Sequence, residues 1–205
     1  MLTEMTVTEF IAKTASDLPV PGGGSVSALA GALAAGLTQM VARLTLGKPK
    51  YENVHAEMTD FASKAGALRQ RLLRNVDADT AAYNAVLAAY RMPKATDAEK
   101  RMRADAIQAA LKEASRVPMA VAEDAAQVIS LGAAVIEKGL SSARTDGLVG
   151  VMMARSAALG ALRNVEINLE DIRDADFVNR MGMAARDLEA NVMDLEAAVL
   201  KATSR

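Results

Sequence analysis

The sequence predicts an all-α fold, a single-domain bundle of up-and-down helices, and three observations predict it. Hydrophobic residues make up 51% of the 205-residue chain, yet it has only 3 Phe, 3 Tyr and no Trp. Ala, Leu, Val and Met therefore supply the apolar surface, a composition that favours helices packed at short distance over a sheet sandwich. Apolar residues recur at helical spacing in one segment after another, and no stretch shows a convincing period of two. The breaks between segments are short Gly and Pro signals without a linker, so residues 1–205 read as one domain, long enough to bury a sizeable core.

The elements follow in order. Residues 5–16 form a short amphipathic helix, and the small-residue stretch 24–46 a longer one. Gly47-Lys48-Pro49-Lys50 breaks that helix, and a polar-apolar helix then runs from about Glu52 toward Arg91, where Pro93 stops it. Thr96-Asp97-Ala98-Glu99 has capping-box spacing, which starts a new helix near Asp97. Pro118 is expected to interrupt or restart this helix near Val117, and the segment continues to Lys138 before Gly139. Residues 145–168 are again helical. In the last segment Phe177, Met181, Ala184, Leu188, Val192, Leu195 and Val199 recur at steps of three and four, a buried stripe.

Composition also excludes several functions. The net charge is −1, so no general electrostatic pull toward nucleic acid or an anionic membrane is expected. There is no cysteine, which removes disulfides, thiolate nucleophiles and zinc–thiolate sites, and the single His55 cannot make a His-based metal site. Met1-Leu2-Thr3-Glu4 has no basic region leading into an apolar core, and the chain reads as soluble and cytoplasmic. Residues 25–46 are long enough for a membrane span, but their Ser, Thr, Gln, Arg and Gly content fits a packed helix better. The 12 methionines read as core filler.

The most informative segment is Pro19-Val20-Pro21-Gly22-Gly23-Gly24-Ser25-Val26-Ser27-Ala28. Two prolines hold the entry out of a helix, and three glycines let the backbone take unusual conformations and a ligand come close. A helix follows at once, and its first-turn amides have no partners inside it. A triphosphate loop of the Gly-Lys-Ser/Thr type needs a Lys that is absent, so the reading is a ligand loop for something else, or a plain capping turn. Two faces of small residues accompany it: Gly24, Ala28, Gly31 and Ala35 on one helix, and Gly147, Gly150, Ala154, Ala157, Ala161 with Asn164 on another. Such faces either pack tightly or leave a flat slot for a planar ring. Asn164 and Asn168 face the same way, whereas Asp146 lies about 27 Å from Asn164 along an ideal helix and does not share a small site with it in one subunit.

Four ordered motifs carry a family resemblance. They are Pro19–Ala28; Thr45-Leu46-Gly47-Lys48-Pro49-Lys50-Tyr51; Asp79 with Tyr83-Asn84-Ala85-Val86 and Met92-Pro93-Lys94; and Thr145-Asp146-Gly147 with Asn164-Val165 and Ile167-Asn168. Over essentially the whole chain this resembles the cyclodeaminase/cyclohydrolase family, which includes the C-terminal half of formiminotransferase-cyclodeaminase and stand-alone methenyltetrahydrofolate cyclohydrolases. Thr145 stands where that family usually has Ser, Tyr83 where Phe is common, and Ala78 where an acidic residue often precedes the matching Asp. The resemblance implies a helical homodimer acting on folate one-carbon units without metal or organic cofactor. It also implies hydrolysis of 5,10-methenyltetrahydrofolate to 10-formyltetrahydrofolate. Formiminotetrahydrofolate cyclodeaminase and a non-catalytic folate-binding protein stand as alternatives.

Methenyltetrahydrofolate carries a delocalised cation, so a carboxylate can both attract it and take the proton of the attacking water. On the family match that carboxylate is Asp79; Tyr83, one turn on, and Lys48 are the other catalytic candidates. Asp77 is about 200° away around the helix and faces elsewhere. Gly22, Gly23, Gly24, Ser25, Tyr51, Asp146, Asn164 and Asn168 are the substrate-binding candidates. Lys48 and Lys50 suit the glutamate tail of a folate, and Asp146 either meets the pterin edge or caps its helix.

Overall fold

Two helices begin with the same reciprocal cap. At the start of α1 (Val7–Thr14) Thr6 Oγ1 accepts from the Glu9 amide at 3.2 Å, and Glu9 Oε2 accepts from the Thr6 amide at 2.8 Å. At the start of α4 (Asp97–Lys138) Thr96 and Glu99 repeat it at 3.2 and 2.9 Å, as the Thr-x-x-Glu spacing requires. The structure, a computed structural model, describes residues 1–203. Its other long helices are α2 (Gly23–Leu46), α3 (His55–Tyr90), α5 (Arg144–Leu169) and α6 (Ala175–Thr203). Short 3-10 turns cover Leu2–Glu4, Pro49–Val54 and Ser141–Ala143, and no strand occurs among the described residues.

Helix α2 is the centre of the bundle, packed against α3, α5 and α4, while α6 lies across α4 and α5. Its small residues explain how three neighbours reach it. Ala28 and Ala35 of α2 and Ala154, Ala157 and Ala161 of α5 are fully buried. A Cβ on Gly31 would sit 3.0 Å from Leu72 Cδ2 and 3.5 Å from Ala157 Cβ, and one on Gly150 would sit 3.3 Å from the Ala34 carbonyl oxygen. The small-residue faces therefore close on each other along most of their length, and a mid-bundle slot for a planar ring is not formed. Helices α2 and α4 are each long and apolar enough to cross a membrane by length and composition. Of their most apolar stretches, 61% and 56% respectively are buried inside the bundle.

Polar contacts fix the outer helices. Arg71 of α3 grips Asp124 of α4 with Nε and Nη2, at 3.1 and 2.7 Å to Oδ1, and Asp124 is only 7% exposed. Asp77 faces away from α2, but it is not simply solvated: it accepts from the Leu2 amide at 2.6 Å and from Thr3 Oγ1 at 2.7 Å, clamping the N-terminal turn to α3. The stripe of α6 buries Phe177, Val192 and Val199 as expected. It runs through Ala185 rather than the exposed Ala184, because the helix keeps a four-residue step there.

Pro118 does not interrupt α4, which continues unbroken through it. A helical residue at 118 would normally donate its amide to the Ala114 carbonyl, and proline cannot. Asn168 Nδ2, reaching over from α5, donates to that same carbonyl oxygen at 2.7 Å. With Ala114 8% exposed, the carbonyl would otherwise be buried without its partner. Local propensity argued for a break, and a side chain from a distant segment removes the reason for one.

Asn168→Ala should therefore cost about 1–3 kcal/mol of unfolding free energy, the penalty for an orphaned buried polar group. In a Pro118→Ala background, where the helix supplies its own donor, the same substitution should cost much less. Urea unfolding of the four chains as a double-mutant cycle checks this coupling.

Candidate active site

The start of α2 is uncapped by any side chain, because its N-cap is Gly22. The Val20–Pro21 peptide just before it is cis. Gly23, Gly24 and Ser25 form the first helical turn, so the glycines lie inside the helix rather than in a loop ahead of it. None of them has positive φ. Their purpose is space. A Cβ on Gly24 would lie 2.0 Å from Asp79 Oδ1, and one on Gly23 3.3 Å from Asn164 Nδ2. The backbone of α2 thus comes into contact with side chains of α3 and α5 that any larger residue would push away.

A cleft of about 360 Å³ opens at this point. Gly22, Gly23 and Gly24 form one side, Asp79, Ala82, Tyr83 and Val86 of α3 a second, and Asn164, Ile167 and Asn168 of α5 a third, with Pro19, Val20 and Ala114 completing it. Asp79 is half-buried. Ser25 Oγ, itself fully buried, lies 2.8 Å from Asp79 Oδ2, 3.0 Å from the Val76 carbonyl oxygen and 3.3 Å from Thr80 Oγ1. With one proton to donate, Ser25 orients the carboxylate and ties it to the start of α2. Burial pushes the Asp79 carboxyl above its usual range, and hydrogen bonding from Ser25 draws it back in part. Among the described lining residues Asp79 is the one carboxylate, and no Lys, Arg or His joins it. A cleft of this kind attracts a cation and offers it a base.

The sequence-predicted residues divide into two groups. Gly22, Gly23, Gly24, Asp79, Tyr83, Asn164 and Asn168 line the cleft, and Ser25 holds its carboxylate. Two of these have work of their own: Asn168 Nδ2 serves the Ala114 carbonyl, and Asn164 Nδ2 donates to the Gly160 carbonyl at 2.8 Å. Lys48, Tyr51 and Asp146 do not reach the cleft within this protomer. Lys48 is exposed and follows the far end of α2, about 33 Å from Gly24 along the helix axis. Tyr51 is hydrogen-bonded there with Ser141, its hydroxyl accepting from the Ser141 amide at 3.2 Å. Asp146 is exposed in the first turn of the unbroken α5, whose other end carries Asn164; it lies near the helix dipole and makes no N-cap bond, since the N-cap is Ala143. Ala82 and Val86 were missed, although steps of three and four from Asp79 mark their face. A larger cavity, about 640 Å³, is lined by α4 and α6 residues such as Ile136 and Val199 with Glu137 and Arg144, and contains none of the candidate residues.

The fold and cleft define a class: a one-domain helical bundle with a single oriented carboxylate where a small-residue helix begins. A family model described as formiminotransferase-cyclodeaminase matches residues 6–187, and the chain belongs to that family. It is 40% identical over 172 residues to methenyltetrahydrofolate cyclohydrolase of Methylorubrum extorquens, covering 84% of this chain and 83% of that one. It is 36% identical to formimidoyltransferase-cyclodeaminase of Sus scrofa over 82% of this chain, but spans only 31% of that longer protein. The crystal structure of formiminotetrahydrofolate cyclodeaminase from Thermotoga maritima superposes with a TM-score of 0.88 at 28% identity, covering 98% of this chain and 96% of that one.

Gly24→Ala should displace Asp79 and lower turnover at least tenfold, since the new methyl overlaps the carboxylate. Gly22→Ala, whose Cβ would meet only the Pro19 carbonyl oxygen at 3.5 Å, should leave turnover within a few-fold of the parent. Steady-state rates of the two variants, with thermal melts beside them, test the assignment of the glycines to space.

Proposed function

We propose that this chain hydrolyses 5,10-methenyltetrahydrofolate to 10-formyltetrahydrofolate, reversibly, as a methenyltetrahydrofolate cyclohydrolase. One observation carries the reading: the single carboxylate of a cleft without cationic side chains, held by Ser25 in a partly dry setting. The likeness to a cyclohydrolase along most of both chains supports the choice of reaction. The ionised Asp79 faces the amidinium cation and takes a proton from the water whose oxygen bonds to the bridging carbon. The carbon–nitrogen bond to N5 then breaks, N5 receives the proton from Asp79, and the new hydroxyl loses its proton to solvent as the formyl carbonyl forms. One water is consumed and one proton released, and the proposal assigns no metal or organic cofactor. Tyr83 borders the ring system, and the first-turn amides of α2 supply donors.

The fold match to a formiminotetrahydrofolate cyclodeaminase supports a second reading, in which the same cleft expels ammonia and forms the methenyl cation. Mixing the protein with each substrate separates the two: loss of the methenyl absorbance above the spontaneous rate supports the first, and its appearance from the formimino form the second. We also propose a homodimer.

Asp79→Asn should lower single-turnover hydrolysis by roughly 10²–10⁴-fold, the usual worth of general acid–base help. Asp77→Asn should leave turnover within a few-fold of the parent while lowering stability by about 1 kcal/mol, because it weakens the clamp on Leu2 and Thr3. Normal turnover in Asp79→Asn overturns the assignment.

The acid limb of kcat/KM should report Asp79 in the free enzyme. Asp79 acts only when ionised, and its pKa is raised, so activity should fall at a pH above the ordinary carboxylate range as the solution is acidified. Ser25→Ala removes a hydrogen bond that lowers this pKa, and should move the limb to still higher pH. A pH–rate profile of parent and Ser25→Ala measures both the position and the direction.

A further inference from the structure

Met92-Pro93-Lys94 is a motif that no part of the cleft uses, and it follows directly on the helix that carries Asp79. From Asp79 the next residues on the same face of α3 are Tyr83, Val86 and Tyr90, at steps of four, three and four. Eleven residues make close to three full turns, so Tyr90 stands in line with Asp79, about 17 Å further along the helix. The cleft already follows this line, its α3 wall running from Asp79 through Ala82 and Tyr83 to Val86. Tyr83 and Tyr90 are 37% and 43% exposed. Two of the chain's three tyrosines thus lie on one open face.

The far end of this strip is cationic. Arg103 of α4 donates from Nε and Nη2 to the Tyr90 carbonyl oxygen at 3.1 and 3.0 Å, and its guanidinium lies 5.7 Å from the centre of the Tyr90 ring. Arg91 and Lys94, in the turn between α3 and α4, are exposed and enter no ion pair among the described residues. The two carboxylates of this corner are already engaged: Asp97 pairs with Lys100 at 2.9 Å, and Glu99 closes the cap of α4. Arg91, Lys94 and Arg103 therefore gather positive charge about three turns of α3 away from the one carboxylate of the cleft, with the tyrosine face between them.

A folate has the complementary arrangement. The methenyl form carries its cation at the reacting centre, and beyond it an arm of p-aminobenzoyl ring, amide and glutamate that spans about 15 Å when extended in ordinary bond lengths. We infer that α3 holds this arm: the aromatic ring lies along Tyr83, Val86 and Tyr90, and the glutamate carboxylates are held at Arg91, Lys94 and Arg103. This rests on the proposed reaction and deepens it, since it names the substrate as a folate with a glutamate or oligoglutamate tail. It gives the Met92-Pro93-Lys94 turn a task. It also places within reach of Asp79 the positive charge that the cleft lacks and that Lys48 and Lys50, beyond the far end of α2, do not bring to it within this protomer.

Steady-state kinetics with methenyltetrahydrofolate triglutamate test this. In Arg91→Gln/Lys94→Gln the KM should rise at least tenfold while kcat stays within about twofold of the parent. Screening should raise the KM of the parent as salt is added, and that of the double variant much less. Arg101, about 200° around α4 from Arg103, is the control, and Arg101→Gln should leave KM unchanged. Tyr90→Ala should raise KM several-fold and Tyr90→Phe should not, as a ring contact requires. An unchanged KM in the double variant, or an equal rise in Arg101→Gln, overturns the inference.

A second measurement needs no turnover. Tetrahydrofolate triglutamate, which the proposed reaction neither consumes nor forms, should bind the parent in equilibrium dialysis, and Arg91→Gln/Lys94→Gln should weaken it at least tenfold. Both side chains are exposed, so the double variant should melt at the temperature of the parent. Weakened binding in the variant, beside a parent that does not turn over the methenyl form, upholds the tail site and overturns the proposed reaction. Normal turnover with unweakened binding does the reverse. A parent that binds no tetrahydrofolate overturns both.

Discussion

The contact between the start of α2 and Asp79 governs the rest of this structure. Because Gly24 has no Cβ, the helix backbone and the carboxylate occupy adjacent space that a single methyl would invade to 2.0 Å. That approach lets Ser25, the next residue, reach both Asp79 and the Val76 carbonyl. It also buries the carboxylate enough to raise its pKa without isolating it from the cleft. A deeper aspartate would stay protonated at neutral pH, and a fully solvated one would be a weaker base. The glycines, the serine and the position of α3 together tune one proton.

The same contact depends on packing further along. Helix α2 can begin beside Asp79 because it is drawn close to α3 and α5 for about three turns beyond, through its Ala28, Gly31 and Ala35 and through Ala157 of α5. Enlarging any of these would tilt the helix and move its first turn. Stability and site geometry are therefore not separable here: the residues that contribute dispersion and burial in the core also set the distance at the cleft.

Much of this was legible in the sequence, for reasons that can be named. Helices with periodic apolar faces, the Thr96–Glu99 cap and the breaks at Gly47 and Pro93 are local signals, and each appears where it was expected. The opposite directions of Asp77 and Asp79 follow from helical geometry alone. What was not legible depended on partners distant in sequence. Pro118 reads as a break until Asn168, from another helix, satisfies the Ala114 carbonyl. Asp77 shows only that it faces away from Asp79 until the chain's first residues fold back to it. The glycines were expected to serve unusual backbone angles and the approach of a ligand; all have ordinary φ, and Gly23 and Gly24 make room for Asn164 and Asp79, a property of the neighbour and not of the turn. The small-residue faces did not distinguish tight packing from a slot, since both call for the same residues.

The outward face of α2 shows how one helix can carry two instructions. Gly24, Ala28, Gly31 and Ala35 face inward and are small, whereas Val26, Leu33, Met40 and Leu44 face outward and are large. A helix needed only for the core would carry polar residues on its solvent side. Here that side carries an apolar stripe from Val26 to Leu44 that the protomer leaves exposed. The inward residues set how closely α3 and α5 approach the end of the helix beside Asp79, so the two faces of α2 answer to different constraints within one turn of each other.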